Sequence, residues 1–473
     1  MASGRGVTIA DITEVFFRME TDARLFSAKA ADGIYYWDMI RSEVYLSLHT
    51  LLGGPFTLPE PLPAPSWKSR AKDLVKPLVN MASRRYMQAR SPKYIFITAQ
   101  RVREGTRIVD NITDPLYDLF PDDAVAVELL NRSAVHLPSL LACRKTTRIP
   151  PVALRIGRDE QEATKIAGRL DDAIDRHFGL RPGFTRLVGD SLSMHRATLA
   201  HYRLALRKCN PKVIVGVNNG SLKGMFLAAK ERGIPVVELQ HGASTRHTIY
   251  WSYPTSITAD EPGLSLPFAY LTYSEYWRRN THFPVRLTRA IGNDSLFTER
   301  VASDGRDVLM VSSYMYREAL ADLAREIAAM DRSQLVYFKL HPHEFDRKEE
   351  IIAGFTGHAN IHVVCDELAF PELFRKCGYA VGVQSTVFYF ALQAGCRVCL
   401  LKRSNYFWHD DILDHVELFE DAQALHDITH RPGGEDSASR VTLPEYARRL
   451  DTRAFLSVLD DVQSMTGRAR TNS

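Results

Sequence analysis

In the run VVELQHGASTRHTIY, residues 236–250, an apolar stretch ends on Glu238, Gln240, His241 and Gly242. A neutral imidazole, with a free pKa of about 6.5, suits proton abstraction near neutral pH. His241 is therefore a candidate general base. Glu238, three residues earlier, is the candidate to orient the ring and fix its tautomer. Gly242 lets the backbone come close to a substrate. The plainer alternative is a histidine bonded to backbone in a tight turn. Arg246 and His247 follow in the same loop, where Arg246 suits either an anionic substrate group or plain solvent.

Other strand-like segments also run into polar residues. Val213–Val217 meets Asn218 and Asn219, and a stretch over 307–311 meets Ser312 and Ser313. The 334–340 segment closes on Lys339, His341, Pro342 and Glu344, and 379–383 meets Gln384, Ser385 and Thr386. Lys339 and His341 can donate to a diphosphate or a ribose, with Pro342 stiffening the loop. Equally, a His-Pro pair after a strand can be a turn that stops the ladder. Ser385 and Thr386 can cap the next helix, closed by Gly395, and nothing more. The same helix start also offers free N–H groups and a positive dipole end to a phosphate.

These residues need elements to hold them. Residues 10–52 read mainly as helix, and GGPFTLPEPLPAPSW (53–67) as an extended linker, because each proline blocks helix and restrains its neighbour. Residues 93–98 read as a strand, with helices over 159–177 and 189–208. The 213–217 strand, a 221–232 helix, Gly233 and the 235–239 strand form one βαβ unit, which requires a parallel right-handed crossover. A second block alternates strands at 307–311, 334–340, 360–364, 379–383 and 397–401 with helices at 316–330, 370–376 and 386–394. DNITDPLYD and PDDAV read as turns and caps. Alternation of this kind predicts doubly wound α/β halves, which bind ligands beyond the carboxyl ends of their strands.

Taken together, a His-Pro pair after one strand and a Ser/Thr pair opening a helix some 40 residues later resemble the donor site of GT-B glycosyltransferases. Bacterial sialyltransferases, polysialyltransferases and capsule Kdo transferases, which use CMP-sugars, are of this kind. The pattern is also similar to the CDP-glycerol glycerophosphotransferases of teichoic-acid assembly. That family carries a Trp-His-Gly motif at a strand end, which Gln240-His241-Gly242 resembles without the tryptophan. Ser385-Thr386-Val387-Phe388 is similar to its Ser-Ser motif, but Gln384 stands where the family has an acid.

The resemblance covers spaced motifs over about 210–400. It implies a GT-B-like α/β fold, with two Rossmann-like domains facing an interlobe cleft. It places an acceptor-side domain with a helical elaboration at 1–290, a nucleotide-donor domain at 291–440, and a C-terminal helix at 441–473 packing back on the first. It implies His241 as acceptor-activating base, with Glu238. For the donor, the His-Pro and Ser/Thr motifs imply His341, Pro342, Ser385 and Thr386; position at or after the strand ends adds Lys339, Gln384, Ser312 and Ser313 for the donor, and Gln240, Gly242, Arg246, Asn218 and Asn219 for the acceptor or cleft. Neither a metal nor a cofactor is implied, since GT-B enzymes stabilise the leaving phosphate with helix dipoles and basic side chains. The expected activity is a glycosyltransferase of bacterial capsule or lipopolysaccharide assembly, using a nucleotide-activated donor (CMP-, CDP- or UDP-linked, CMP-Kdo favoured) and a glycan or lipid-linked acceptor. A CDP-polyol phosphotransferase, a nucleotide-sugar epimerase and a non-catalytic binding protein are the alternatives.

Composition agrees with this frame. A formal charge of +4 over 473 residues makes no case for nucleic acid. The six cysteines form no paired framework or zinc pattern, which fits a reducing compartment. No apolar run approaches the ~18 residues of a membrane span, and the first residues lack a signal-peptide core. The expected location is cytoplasmic, at the inner face of the membrane if the basic stretch 67–93 docks on anionic lipid. That stretch sets Lys68, Arg70, Lys72, Lys76, Arg84, Arg85, Arg90 and Lys93 against Asp73 alone, and its other reading is a solvated helix face.

Overall fold

Val213–Gly216, Val236–Leu239 and Ala269–Thr272 are buried at every position, as strands covered on both faces must be. The computed structural model describes residues 8–53, 91–99, 102–104, 107–129, 148–149, 159–217, 220, 222–300, 305–313, 315–402, 409–431 and 443–471. Asn218, Asn219 and nearly all of the basic stretch 67–93 lie outside these residues.

The N-terminal lobe is built on seven strands: β1 Tyr94–Ala99, β2 Ala124–Leu129, β3 Arg148–Ile149, β4 Val213–Gly216, β5 Val236–Leu239, β6 Ala269–Thr272 and β7 Leu287–Ala290. All pairings are parallel, in the order β3-β2-β1-β4-β5-β6-β7. The C-terminal lobe has six: β8 Val308–Val311, β9 Val336–Lys339, β10 Ile361–Val364, β11 Tyr379–Gly382, β12 Arg397–Leu401 and β13 Glu417–Phe419. Their order is β10-β9-β8-β11-β12-β13, again wholly parallel. Counted from its own first strand, each sheet runs 3-2-1-4-5-6, the Rossmann order, and the first adds one strand. The fold is thus α/β with two Rossmann-like doubly wound sheets, as expected. The switch points fall between β1 and β4 and between β8 and β11.

One expectation is corrected here. PDDAV is a turn only through Asp123; Ala124 opens β2. Alanine is a poor strand former in isolation, but Val125 and Val127 enter the core on one face of the sheet while Ala124 and Ala126 enter the core on the other. The N-terminal helical stretch is two helices, α1 Ile9–Asp22 and α2 Trp37–Leu51. Thr8 starts α1 with a reciprocal capping box to Asp11.

Side-chain alternation splits the first sheet between two cores. Ile95, Ile97, Ile214 and Val236 pack with Leu199, Tyr202, Leu206 and Phe226 on one face. Phe96, Val213, Val215, Val237 and Leu239 face the other way, onto Phe455, Val458, Leu459 and Val462. Those four belong to the C-terminal helix Thr452–Thr471, which covers the N-terminal sheet. Full burial contributes roughly 1.5–3 kcal/mol for each such side chain.

The lobes are tied by two adjacent crossings of the chain. Asn293 N–H donates to the Arg448 carbonyl at 2.9 Å, and Asp451 N–H to the Ile291 carbonyl at 2.7 Å. Gln393 fixes the return crossing from the C-lobe: its Oε1 accepts from Tyr446 N–H and Ala447 N–H, each at 2.8 Å. Trp277 of the N-lobe donates its indole N–H to the Tyr446 carbonyl at 2.6 Å.

Candidate functional site

The loop after β5 and the helix after β11 meet. Ala243 N–H donates to Thr386 Oγ1 at 3.0 Å, and Ala243 shares a core with Phe388, Tyr389 and Val311 of the other lobe. The carboxyl end of one sheet is therefore in direct contact with the carboxyl end of the other.

His241 stands two residues before that contact, partly exposed. Its Nδ1 lies 3.6 Å from Glu238 Oε1, and Glu238 itself is fully buried at the end of β5. The edge of Trp251 closes another side of the imidazole, ring centroids 4.8 Å apart at 67°.

Gln240 is not free to face a ligand. It is buried, its Oε1 accepts from Tyr273 N–H at 2.8 Å, and its Nε2 donates to the Gly242 carbonyl at 2.8 Å. This amide shapes the turn that presents His241, which corrects the expectation of a cleft role. A Cβ at Gly242 would sit 3.9 Å from Thr386 Oγ1 and from the Trp251 ring, an ordinary contact.

Arg246 and His247 reach the C-lobe through Asp410. The Arg246 guanidinium pairs with Asp410 Oδ2, and His247 Nε2 lies 3.0 Å from the same oxygen. On its other side His247 Nδ1 meets Thr13 Oγ1 of α1 at 3.1 Å. Burial pushes the Asp410 carboxyl up, but the hydrogen bonds and charges of His247 and Arg246 outweigh it and lower it to about 2. Arg246 is thus a tie between lobes. Nothing in the local sequence marks Asp410 as its partner.

The C-lobe switch point carries Ser312 and Ser313 after β8, with Gln384, Ser385 and Thr386 after β11. Ser312 is 4% exposed. Its Oγ and Gln384 Oε1 are buried atoms without a hydrogen-bond partner among the described residues. Such atoms recur elsewhere in the fold, at His195 and Ser274 among others; these two share the switch point, the place where doubly wound sheets bind ligands. Ser385 Oγ accepts from Val387 N–H at 3.2 Å at the start of the helix α3 Val387–Ala394. Gly395 ends α3 at φ +94°, a left-handed conformation suited to glycine. Ser385 therefore caps, while Thr386 bridges.

Lys339 corrects another expectation. Its ammonium donates to the Leu368 carbonyl at 2.8 Å and to that of Cys365, and lies over the Phe370 ring. Burial lowers its pKa. Those bonds hold the loop after β10 and occupy two of the ammonium's three N–H donors. His341 is partly buried, with its backbone N–H donated to Glu344 Oε2 at 2.8 Å, and Pro342 is exposed at the head of a 3₁₀ turn, Pro342–Arg347.

A cluster unmarked by the sequence lies beside this site. Tyr276 of the N-lobe and Tyr389 of α3 both donate to Asp411, Tyr389 at 2.6 Å to Oδ1. Tyr389 Oη also meets His409 Nδ1 at 3.1 Å. Burial lowers His409 to about 4. Among the described residues no group of three or more His, Cys, Asp or Glu is arranged to hold a metal ion, and no helix is long and apolar enough to cross a membrane.

No protein-family model and no curated protein matches the sequence. Solved structures do share the general outline. MurG of Acinetobacter baumannii is 9% identical over 78% of this chain and 100% of its own, with a TM-score of 0.43. The UDP-N-acetylglucosamine 2-epimerase of Rickettsia bellii is 14% identical over 79% and 98%, with a TM-score of 0.46. The Neisseria meningitidis UDP-GlcNAc 2-epimerase, solved with UDP-GlcNAc bound, is 12% identical over 78% and 99%, at 0.45.

Proposed function

We propose that the chain is a metal-independent glycosyltransferase of surface-polysaccharide assembly, taking its sugar from a nucleotide-activated donor, with CMP-sugars such as CMP-Kdo the first to try. The observation that carries this reading is the contact of the His241 loop with the head of α3 at Ala243 and Thr386. A base on one sheet's carboxyl end then lies beside the phosphate-suited helix start of the other.

In this reading His241 takes the proton of the acceptor hydroxyl as that oxygen attacks the anomeric carbon, and Glu238 stabilises the resulting imidazolium. The nucleotide leaves with the bonding electrons, its phosphate held by the N–H groups of α3 and by Ser385. Ser312 and Gln384 supply polar contacts to the nucleotide, with His341 and Pro342 at the rim. Residues 1–290 form the acceptor side and 291–440 the donor side, with the 441–473 segment strapped across. The basic stretch 67–93 brings the enzyme to a lipid-linked acceptor at the membrane face.

The test is a panel of CMP-, CDP- and UDP-linked donors, with and without glycan acceptors. Expected is release of free nucleotide that depends on acceptor. Conversion of a nucleotide sugar with no acceptor present would assign an epimerase instead, and transfer from CDP-polyols alone would assign a polyol-phosphate transferase. Binding without any turnover would refute catalysis.

A further inference from the structure

We infer that Arg41, held by Glu20, is a positioning residue for His241, acting through the 249–253 segment and the ring of Trp251. The inference rests on the reading of His241 as the base. Trp251, which walls the imidazole, sits in a stretch without helix or strand, its ring stacked on Tyr270 of β6. Backbone bonds from Trp251 and Ser252 to the Thr248 carbonyl and from Tyr253 to the His282 carbonyl shape that stretch, and one guanidinium joins it to the N-terminal helices. Arg41 Nη1 donates to the Ile249 carbonyl at 2.7 Å, and Nη1 and Nη2 both donate to the Ser252 carbonyl at 3.2 Å. The two carbonyls bracket Trp251.

Arg41 is itself clamped. Its Nε and Nη2 donate to Glu20 Oε1 and Oε2 at 2.8 and 3.0 Å, and Trp37 Nε1 donates to Glu20 Oε1 at 2.7 Å. Its guanidinium lies 3.9 Å from the centroid of Tyr253, which donates to Asp38 Oδ1 at 2.6 Å. Arg41 and Glu20 are buried at 2% and 0% exposure. A buried ion pair is a poor source of stability, since an apolar pair of the same size often serves as well or better. A planar fork with five donors in fixed directions is, however, a good source of geometry. Here the fork runs from two N-terminal helices to the backbone on either side of the ring that walls the base.

The experiment uses the full chain with Arg41→Lys, Trp251→Leu and Trp251→Phe. Three quantities are measured: the thermal melt, the titration of the His241 imidazole by NMR on histidine-labelled protein, and transfer rate against pH with the donor KM. Expected for folded Arg41→Lys and Trp251→Leu is a kcat lower by ~10-fold or more at unchanged donor KM, the cost of a misplaced catalytic group. The His241 titration should shift by about half a unit or more as its surroundings change. Trp251→Phe should recover most of the rate. Phe16→Leu, a core change in the same helical layer, is the control for stability loss alone.

A folded Arg41→Lys or Trp251→Leu with wild-type kcat and an unmoved His241 titration would overturn the inference, as would an equal loss in Phe16→Leu. Should Arg41→Lys not fold, Glu20→Gln, which loosens the same fork, takes its place with the same readouts and the same overturning result. If His241→Ala transfers at the wild-type rate, the base reading fails by itself. The NMR titration reports the link from Arg41 to His241 either way.

Discussion

His241 and Glu238 are three residues apart on the chain and 3.6 Å apart in space, because β5 ends between them and the Gln240 turn folds the ring back. His241→Ala should fold and bind nucleotide, since a partly exposed strand-tip side chain carries little core. Its transfer rate should fall roughly 10²–10⁴-fold, the usual worth of a positioned base. Rates at saturating substrates, with a parallel melt, check this; a folded variant within tenfold of wild type would acquit the residue. Ser312→Ala separates two roles sharply. Its hydroxyl has no partner among the described residues, so removing it should leave stability unchanged or raise it by up to about 1 kcal/mol. Nucleotide affinity should drop by ~5-fold or more if the donor uses that hydroxyl. Calorimetry on the variant reads both.

At the scale of elements, α3 works through its first turn and its apolar body together. Phe388, Tyr389 and Phe390 bury the helix in the interlobe core, which leaves Ser385 and Thr386 presented at its head. Asp410 does the matching work from the other side of the site. Asp410→Asn weakens the pairing with Arg246 and His247, hydrogen bonds to charged groups that are each worth about 1.5–3 kcal/mol. The pair to Arg246 is half exposed, so the measured loss should fall at the low end of that range. We expect the variant to melt lower and to transfer more slowly, with Arg246→Ala showing the smaller effect of the two. Equal melts for wild type and Asp410→Asn would remove the tie between lobes.

For the whole molecule, the double crossing between lobes is the joint on which the site depends. Gly292 has φ +83°, and a Cβ there would lie 2.1 Å from the Arg449 carbonyl. Gly292→Ala should therefore destabilise by at least ~1–3 kcal/mol, from backbone strain plus the displaced crossing. Urea unfolding of that variant reads the loss directly.

The pH dependence of stability is also a property of the whole fold. Burial holds His195 and His409 neutral, lowered to about 4 each. An unfolded imidazole titrates near ~6.5, so between the two values the unfolded chain binds more protons and stability rises with pH. The stabilisation is complete above about pH 6.5 and is lost progressively down to each folded value, on the order of 3 kcal/mol per group. Asp410 adds a further loss below its unfolded value of ~3.9. Denaturant midpoints at pH 7.5 and 4.5 that coincide would contradict this.

Local pattern was enough for the strands that are apolar throughout. Val213–Gly216, Val236–Leu239, Val308–Val311 and Tyr379–Gly382 announce themselves, and the helices between them oblige a parallel sheet. From this follow the doubly wound class and the polar residues waiting at each strand end, His241, Ser312 and Ser385 among them. Shorter strands were not legible. Arg148–Ile149 has two residues, and Leu287–Ala290 is an edge strand only partly buried. Ala269–Thr272 acquires its strand character from β5 and β7 on either side.

What only the tertiary structure decided is who meets whom. Lys339 reads as a phosphate ligand from its place at a strand end; carbonyls 26 and 29 residues further on take two of its N–H donors. Thr386 finds Ala243 across 143 residues, His247 finds Asp410 across 163, and Arg41 finds Ile249 across 208. Side-chain periodicity reports which face of an element is buried, not which distant backbone it is buried against. For this chain the candidate residues stand at the strand ends, and the packing of two lobes and two N-terminal helices selects which of them meet.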